Sequence, residues 1–338
     1  MGSYNLYLEN GFLNIPALAE GPNWLIVIIG ARQVGKTYGT LKYMIDNNIN
    51  HILLRRTTEE LELIGGNADL NPYKAFEPDH HIGIFKSGKM YSINEYSDEG
   101  KGQQRGLALS LAQISHIRGF NGSAFTDIVY DEFIPEKGVS VRRSEGDSLL
   151  NAYTTINGNR ELKGDKPARL WLLANSNSIN SPILEALNLT DIVLAMRRKG
   201  EEIREAEGVL IVQPKSSGVL EKRKETALIK HLKGSGDFYK MAVENEFSYD
   251  YSPLVKTFPI KGMTPLFSYA GILYAWEGGD KIYICKAQHK RKPYTDSQHD
   301  RERLATDWAI LKRFYFEDFI YFSDLRMLSL FKQIFSIE

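Results

Sequence analysis

Cysteine is nearly absent: one, Cys285, stands in 338 residues. No intramolecular disulfide can form, and no zinc site can be built on several thiolates. No apolar run approaches the roughly 18 residues that span a bilayer. The longest greasy stretch, Trp24 to Ile29, has only the length of a strand, so no membrane partner is expected. The N-terminus lacks the charged stretch and apolar core of a secretory leader, which leads us to expect a soluble, cytoplasmic chain. Net charge is missing too, because 42 Lys and Arg balance 42 Asp and Glu. That balance excludes a static, globally basic coat for nucleic acid and leaves room for local basic loops.

What is present describes an ordinary globular protein. Hydrophobic residues at 43% suffice for a full core, and the length suits two domains at roughly 100–200 residues each. Short apolar runs at 24–29, 51–54, 128–130, 169–174 and 191–196 alternate with helical segments such as Thr37 to Asp46. This pattern predicts an α/β domain whose mostly parallel sheet is buried on both faces. His81 to Tyr96 alternates around Ser87-Gly88-Lys89, as a hairpin does. Residues 197–208 are dense in charge and 214–236 rich in Ser, Gly, Lys and Arg, the texture of a linker. Farther on, Leu266–Trp276 and Lys281–Ala287 flank Gly278-Gly279-Asp280, and a helical region begins near Arg301. The expected organisation is a first domain at 1–197, a small linker or lid subdomain at 198–252 and an α+β domain at 253–338.

The informative motif is Gly30-Ala31-Arg32-Gln33-Val34-Gly35-Lys36-Thr37. It matches the phosphate-binding loop pattern at every defined position, between a buried strand and a helix. The glycines let backbone N–H groups curl around a β-phosphate, and Lys36 adds a charge at the β/γ oxygens. Thr37 offers a hydroxyl to Mg²⁺, and the positive end of the helix dipole adds to the cradle. ATP and Mg²⁺ are the expected cofactors. About a hundred residues on, Ile128-Val129-Tyr130-Asp131-Glu132 ends another apolar run. Asp131 would hold Mg²⁺ through water, and Glu132 would polarise an attacking water as general base. Asp127, farther from the strand's end, is set aside. Leu172-Leu173-Ala174-Asn175 supplies an amide at a strand end, suited to sensing a γ-phosphate, with Asn177 the neighbouring alternative.

These residues, in this order, resemble the genome-packaging ATPases of small tailed phages, the phi-29-like motors related to terminase large subunits and FtsK/HerA-type translocases. The likeness rests on IGARQVGKTY, LLRRTTEEL, DIVYDEFIPEK and ANSNSINSPIL, and weakens beyond residue 190, where 233–247 still looks familiar. It implies a P-loop ATPase domain of the additional-strand, catalytic-glutamate class. It also implies a homo-oligomeric, pentameric ring in the host cytoplasm, docked on a procapsid, that drives double-stranded DNA through a phage portal, with a packaging RNA as a further partner. In such rings an arginine from one subunit stabilises the neighbour's γ-phosphate, worth ~10³–10⁵ in rate in finger systems. The matching position is Arg160, although the family's paired arginines are here Gly158 and Arg160; Arg142 and Arg143 are the alternatives. Lys101, Arg105, His116 and Arg118 are expected on DNA-facing loops, since phosphate contacts carry no sequence information. The basic runs Lys222-Arg223-Lys224 and Lys290-Arg291-Lys292 read equally as solvated faces. The C-terminal domain, by resemblance, is an RNase H-like nuclease fold. Its first strand carries no carboxylate and Asp280 sits in a turn, so Asp296, Asp300 and Asp307 lack the partner that a two-metal site needs; a degenerate nuclease is expected.

Three other readings compete. A small-molecule P-loop kinase or GTPase would generally lack the Asp131-Glu132 doublet. A plasmid translocase or helicase would share the chemistry and differ in partner. A nucleotide-gated structural protein would not need Glu132.

Overall fold

The computed structural model describes all residues except 1–3, 67, 89, 115–121, 136–141, 143, 178–180, 216, 233–253, 257, 318 and 338. The chain divides into two compact units, Met1–Tyr249 and Asp250–Glu338. Among the described residues no helix is long and apolar enough to cross a membrane.

The first unit is built on one nine-stranded sheet. Its strands are β1 (Leu25–Gly30), β2 (His51–Arg55), β3 (Ile82–Ser87), β4 (Met90–Ser97), β5 (Gly100–Ser110), β6 (Asp127–Asp131), β7 (Arg169–Asn175), β8 (Ile203–Ala206) and β9 (Val209–Val212). Their order is β3-β4-β5-β2-β6-β7-β1-β9-β8. The pairings from β5 to β9 are parallel, and β3, β4 and β8 add antiparallel edges. Every residue of β1 and β6 is buried, as central parallel strands covered on both faces require. β7 separates β1 from β6. It therefore brings the end of the phosphate-loop strand and the end of the acidic strand to one edge of the sheet.

The expected α/β core and the 81–96 hairpin are present. Three expectations need correction. Asp191–Met196 is not a strand; it lies in the helix Thr190–Lys199, which buries Thr190, Val193, Leu194 and Met196. A short apolar run does not distinguish strand from helix. Here helical spacing, Asp191 in the first turn and Arg197, Arg198 and Lys199 in the last suit the helix dipole. Residues 203–212, placed in a linker, form the β8–β9 hairpin, and Leu25 to Ile28 of β1 pair with Val209 to Val212 of β9. The charged flanks hid a four-residue core strand. Residues 101–110, expected in a loop, belong to β5, whose polar first half extends beyond the covered part of the sheet.

The second unit holds a five-stranded sheet of β10 (Thr264–Tyr269), β11 (Leu273–Gly278), β12 (Lys281–Cys285), β13 (Pro293–Tyr294) and β14 (Ile320–Phe322), ordered β13-β10-β11-β12-β14. The single strand expected at 266–276 is two, reversed at Ala270 and Gly271, both with positive φ. Helices Gln298–Asp307 and Leu325–Ile334 accompany the sheet, the second burying Leu328, Phe331 and Ile334.

Trp171 is fully buried, and its indole N–H donates to Asp127 Oδ1 at 2.9 Å. Asp127 is thus a structural acceptor between adjacent strands. Trp171→Ala should cost about 3–5 kcal/mol for the cavity, plus the loss of the indole donor to Asp127 Oδ1. Urea unfolding of the two proteins measures the difference; a loss below about 1 kcal/mol would show that the sheet does not depend on this residue.

Candidate active site

The register of the central strands assembles the site. Gly30 pairs with Asn175 across β1 and β7, and Asp131 pairs with Leu173 across β6 and β7. The carboxyl ends of parallel strands are where open α/β sheets place ligands. Between β1 and the helix Lys36–Asp46 the chain turns through Gln33 and Gly35, both with positive φ, which curls the backbone into a nest. Ala31 and Val34 are fully buried and anchor the loop from below. A cavity of about 300 Å³ opens over it, lined among others by Arg32, Lys36, Thr37, Asp131, Glu132 and Asn175.

Lys36 is buried. Its ammonium donates to Gly30 O at 3.0 Å, Ala31 O at 2.7 Å and Asn175 Oδ1 at 3.0 Å. Burial lowers its pKa to about 7; Asp131 and Glu132 pull upward, while Arg32 and Arg223 push it further down. Thr37 Oγ1 donates to Asp131 Oδ1 at 2.8 Å. A hydroxyl and a carboxylate, both hard oxygen donors, suit Mg²⁺. Glu132 has φ +59, a left-handed backbone costly for a non-glycine residue, and its side chain is 55% exposed at the cavity wall.

Arg55, at the end of β2, joins the two acids. It lies 3.1 Å from Asp131 Oδ2 and 3.4 Å from Glu132 Oε2. Motif reading does not single out Arg55, because no spacing rule ties it to the acids. The signal is strand pairing: Leu54 stands opposite Tyr130, so the next residue of β2 falls beside Asp131. Asn175 meets Lys36, whereas the neighbouring Asn177 is buried and donates to Pro135 O at 3.2 Å.

The remaining candidates lie elsewhere. Arg160 donates to Ser123 O at 2.8 Å and Phe125 O at 2.7 Å, holding the turn before β6. Arg142 is exposed, and Arg143 lies outside the described residues. Lys101 donates to Ser92 Oγ at 2.7 Å and Arg105 to Glu95 Oε1 at 2.7 Å, both on β5. His116, Arg118 and 233–247 lie outside the described residues.

The family model described as podovirus DNA encapsidation protein (Gp16) matches residues 12–290. The DNA packaging protein of Bacillus phage B103 is 27% identical over 228 residues, 66% of this chain and 64% of that protein. This chain therefore spans just under two thirds of that relative's length. The DNA packaging protein of Bacillus phage phi29 is 27% identical over 244 residues, 71% of this chain and 67% of that one. The bacteriophage Phi-29 viral genome packaging motor assembly superposes with a TM-score of 0.65 at 21% identity, covering 97% of this chain and 99% of that one. The Phi-28 gp11 DNA packaging motor does so with 0.63 at 15%, covering 98% and 99%. At these identities the structural likeness is one of fold.

The buried Lys36 carries a pH signature. Its folded pKa near 7 lies below the ordinary 10.5, so between those values the unfolded chain holds a proton that the folded chain lacks. Stability must then rise with pH across that window. The unfolding free energy of the wild type relative to Lys36→Met should be flat below pH 7 and climb from pH 7 toward 10. A difference that stays constant to pH 10 would show that Lys36 titrates normally.

Proposed function

The chain belongs to the podovirus DNA encapsidation protein family, and from that premise we propose that it is the ATP-hydrolysing subunit of a ring, pentameric in our reading, that translocates double-stranded DNA into a phage capsid. The observation that carries the ATPase part is the convergence of Lys36, Thr37, Asp131, Glu132 and Asn175 on one cavity. The phosphate loop binds the β- and γ-phosphates. Thr37, and Asp131 through water, would hold Mg²⁺, which would supply charge neutralisation and template the phosphates. Glu132 accepts the proton of the attacking water. In this reading Asn175, tied to Lys36 at 3.0 Å, would exchange that bond for one to the terminal phosphate and so sense it. The position of β7 between β1 and β6 supports the additional-strand, catalytic-glutamate class.

A small-molecule kinase fits less well. It would need an acceptor site in place of a water-activating carboxylate, and Glu132 stands exposed at the cavity wall beside Asp131. For the second unit we favour an RNase H-like fold without cutting activity. Asp307 is engaged with Tyr294 at 2.6 Å, Asp300 with Thr295 and Asp296 with Arg301 and Tyr269, while Asp280 sits at the β11–β12 turn. Each of Asp296, Asp300 and Asp307 is engaged in a local bond. The proposed partners are duplex DNA, the portal and a packaging RNA, in the host cytoplasm on the procapsid, with Lys101, Arg105, His116 and Arg118 toward the DNA.

Two experiments test the reading. Glu132→Gln should bind Mg²⁺-ATP with near wild-type affinity, yet hydrolyse it ~10²–10⁴-fold more slowly, with duplex DNA stimulating the wild type only. Full turnover in the variant, or indifference of the wild type to DNA, would overturn the general base or the DNA substrate respectively. For the trans finger, Arg160→Ala and Arg142→Ala are each mixed with Glu132→Gln. Rescue in the Arg160 mixture alone assigns the role to Arg160, rescue in the Arg142 mixture reassigns it, and no rescue in either removes both residues from the role.

A further inference from the structure

The phosphate loop is gripped from outside by chain that no phosphate-loop motif includes. Pro214, just past β9, packs so tightly on Gly30 that a Cβ there would lie 2.6 Å from its Cγ. Leu13 N–H donates to Val34 O at 3.0 Å. The ring of Phe12 lies against Gly35, within 3.2 Å of where a Cβ would stand. Farther along, the helix Gly218–Lys224 is fixed by buried Leu220 and by Ser217, whose hydroxyl donates to Gly11 O at 2.6 Å. From that helix Arg223 reaches back, and its Nη1 donates to Arg32 O at 2.7 Å. Its neighbours do not: Lys222 is exposed, and Lys224 pairs with Glu221 at 2.8 Å.

A guanidinium on the Arg32 carbonyl does two things. It fixes the peptide that carries the Arg32 side chain, which lines the cavity. It also brings a further guanidinium to the loop that carries Arg32 and Lys36. Burial, and then Arg32, lower the Arg223 pKa. Like charges held together this way are relieved by an anion, and relieved more by an anion of greater charge. A nucleoside triphosphate carries about one more negative charge than a diphosphate, at the phosphate nearest Lys36.

We propose that Arg223 is a positioning residue of the nucleotide site, which pins the Arg32 carbonyl and biases the site toward a nucleoside triphosphate over a diphosphate. This inference rests on the ATPase reading above. It makes the segment after β9 a working part of the phosphate site, and it gives the middle residue of the 222–224 basic run a role apart from DNA, portal or RNA.

The test measures binding of Mg²⁺-ADP and of the Mg²⁺ complex of a non-hydrolysable ATP analogue, adenylyl imidodiphosphate, by calorimetry on the full chain. Arg223→Ala should weaken the triphosphate about tenfold and ADP less than about twofold. Arg223→Lys should recover part of the loss, since it restores the charge without the planar fork, and Lys222→Ala should match the wild type. Equal losses for both nucleotides, or no loss for either, would overturn the proposal, as would full recovery of selectivity without any cation at 223. If Arg223→Ala does not fold, a loss of selectivity in well-folded Arg223→Gln carries the same test. A wild type that binds ADP and the analogue leaves the ATPase reading standing whatever Arg223 does. A wild type that binds neither overturns that reading, and this proposal with it.

Discussion

The site depends on solvating one buried ammonium. Lys36 sits almost without solvent exposure, where an unpaired charge would be costly. The cost is met by two carbonyls of its own loop and the amide of Asn175. Those three acceptors dictate much of the rest. The carbonyls of Gly30 and Ala31 can turn inward only if the loop curls, hence Gln33 and Gly35 in left-handed backbone. Asn175 can reach the ammonium only if β7 runs directly beside β1 in the register that sets Gly30 against Asn175. In the proposed reading a nucleotide would compete for the same ammonium, and its arrival would release the carbonyls, the amide or both. The –NH₃⁺ group has three donors, and all three are committed.

The acids show a second economy of the same kind. Asp131 receives Thr37 on one oxygen and Arg55 on the other, so the carboxylate that would serve Mg²⁺ is oriented by the protein itself. Glu132 shares the same guanidinium at a longer 3.4 Å and remains half exposed. Neighbouring residues thus differ in their surroundings: Asp131 lies between two donors, while Glu132 meets one guanidinium and has a left-handed backbone. A metal ligand benefits from the first condition. A base that must meet a water and let it go benefits from the second.

The nucleotide elements were legible in sequence because each is local. The phosphate loop occupies eight consecutive residues, and Asp131-Glu132 follows directly on an apolar run, so spacing alone locates them. The parallel core was legible as well, since strands buried on both faces leave continuous apolar stretches such as Leu25 to Ile29. Missed features depend on pairing between distant segments. Arg55 finds Asp131 only through strand register, Arg223 finds Arg32 across 191 residues, and β9 is recognisable only beside β1. The run at 191–196 failed for a different reason: six residues are too few to separate a period of 2 from one of 3.6.

The vanishing net charge takes its meaning from this geometry. Equal numbers of acids and bases do not make the molecule electrically bland, because the charges are sorted. Lys36, Arg32 and Arg223 meet at the phosphate loop, and Arg55 meets Asp131 and Glu132 beside it. The candidate DNA-facing cations of β5 are held differently, Arg105 by Glu95 and Lys101 by Ser92 and the Phe85 ring. A cation already paired binds phosphate weakly, because each new contact must displace an existing one. Under the proposed translocase reading, weak and exchangeable contacts outside and strongly focused charge at the phosphate loop would be the appropriate division. A globally basic chain would reverse it, because non-specific phosphate binding grows with every cation that neutralises the backbone.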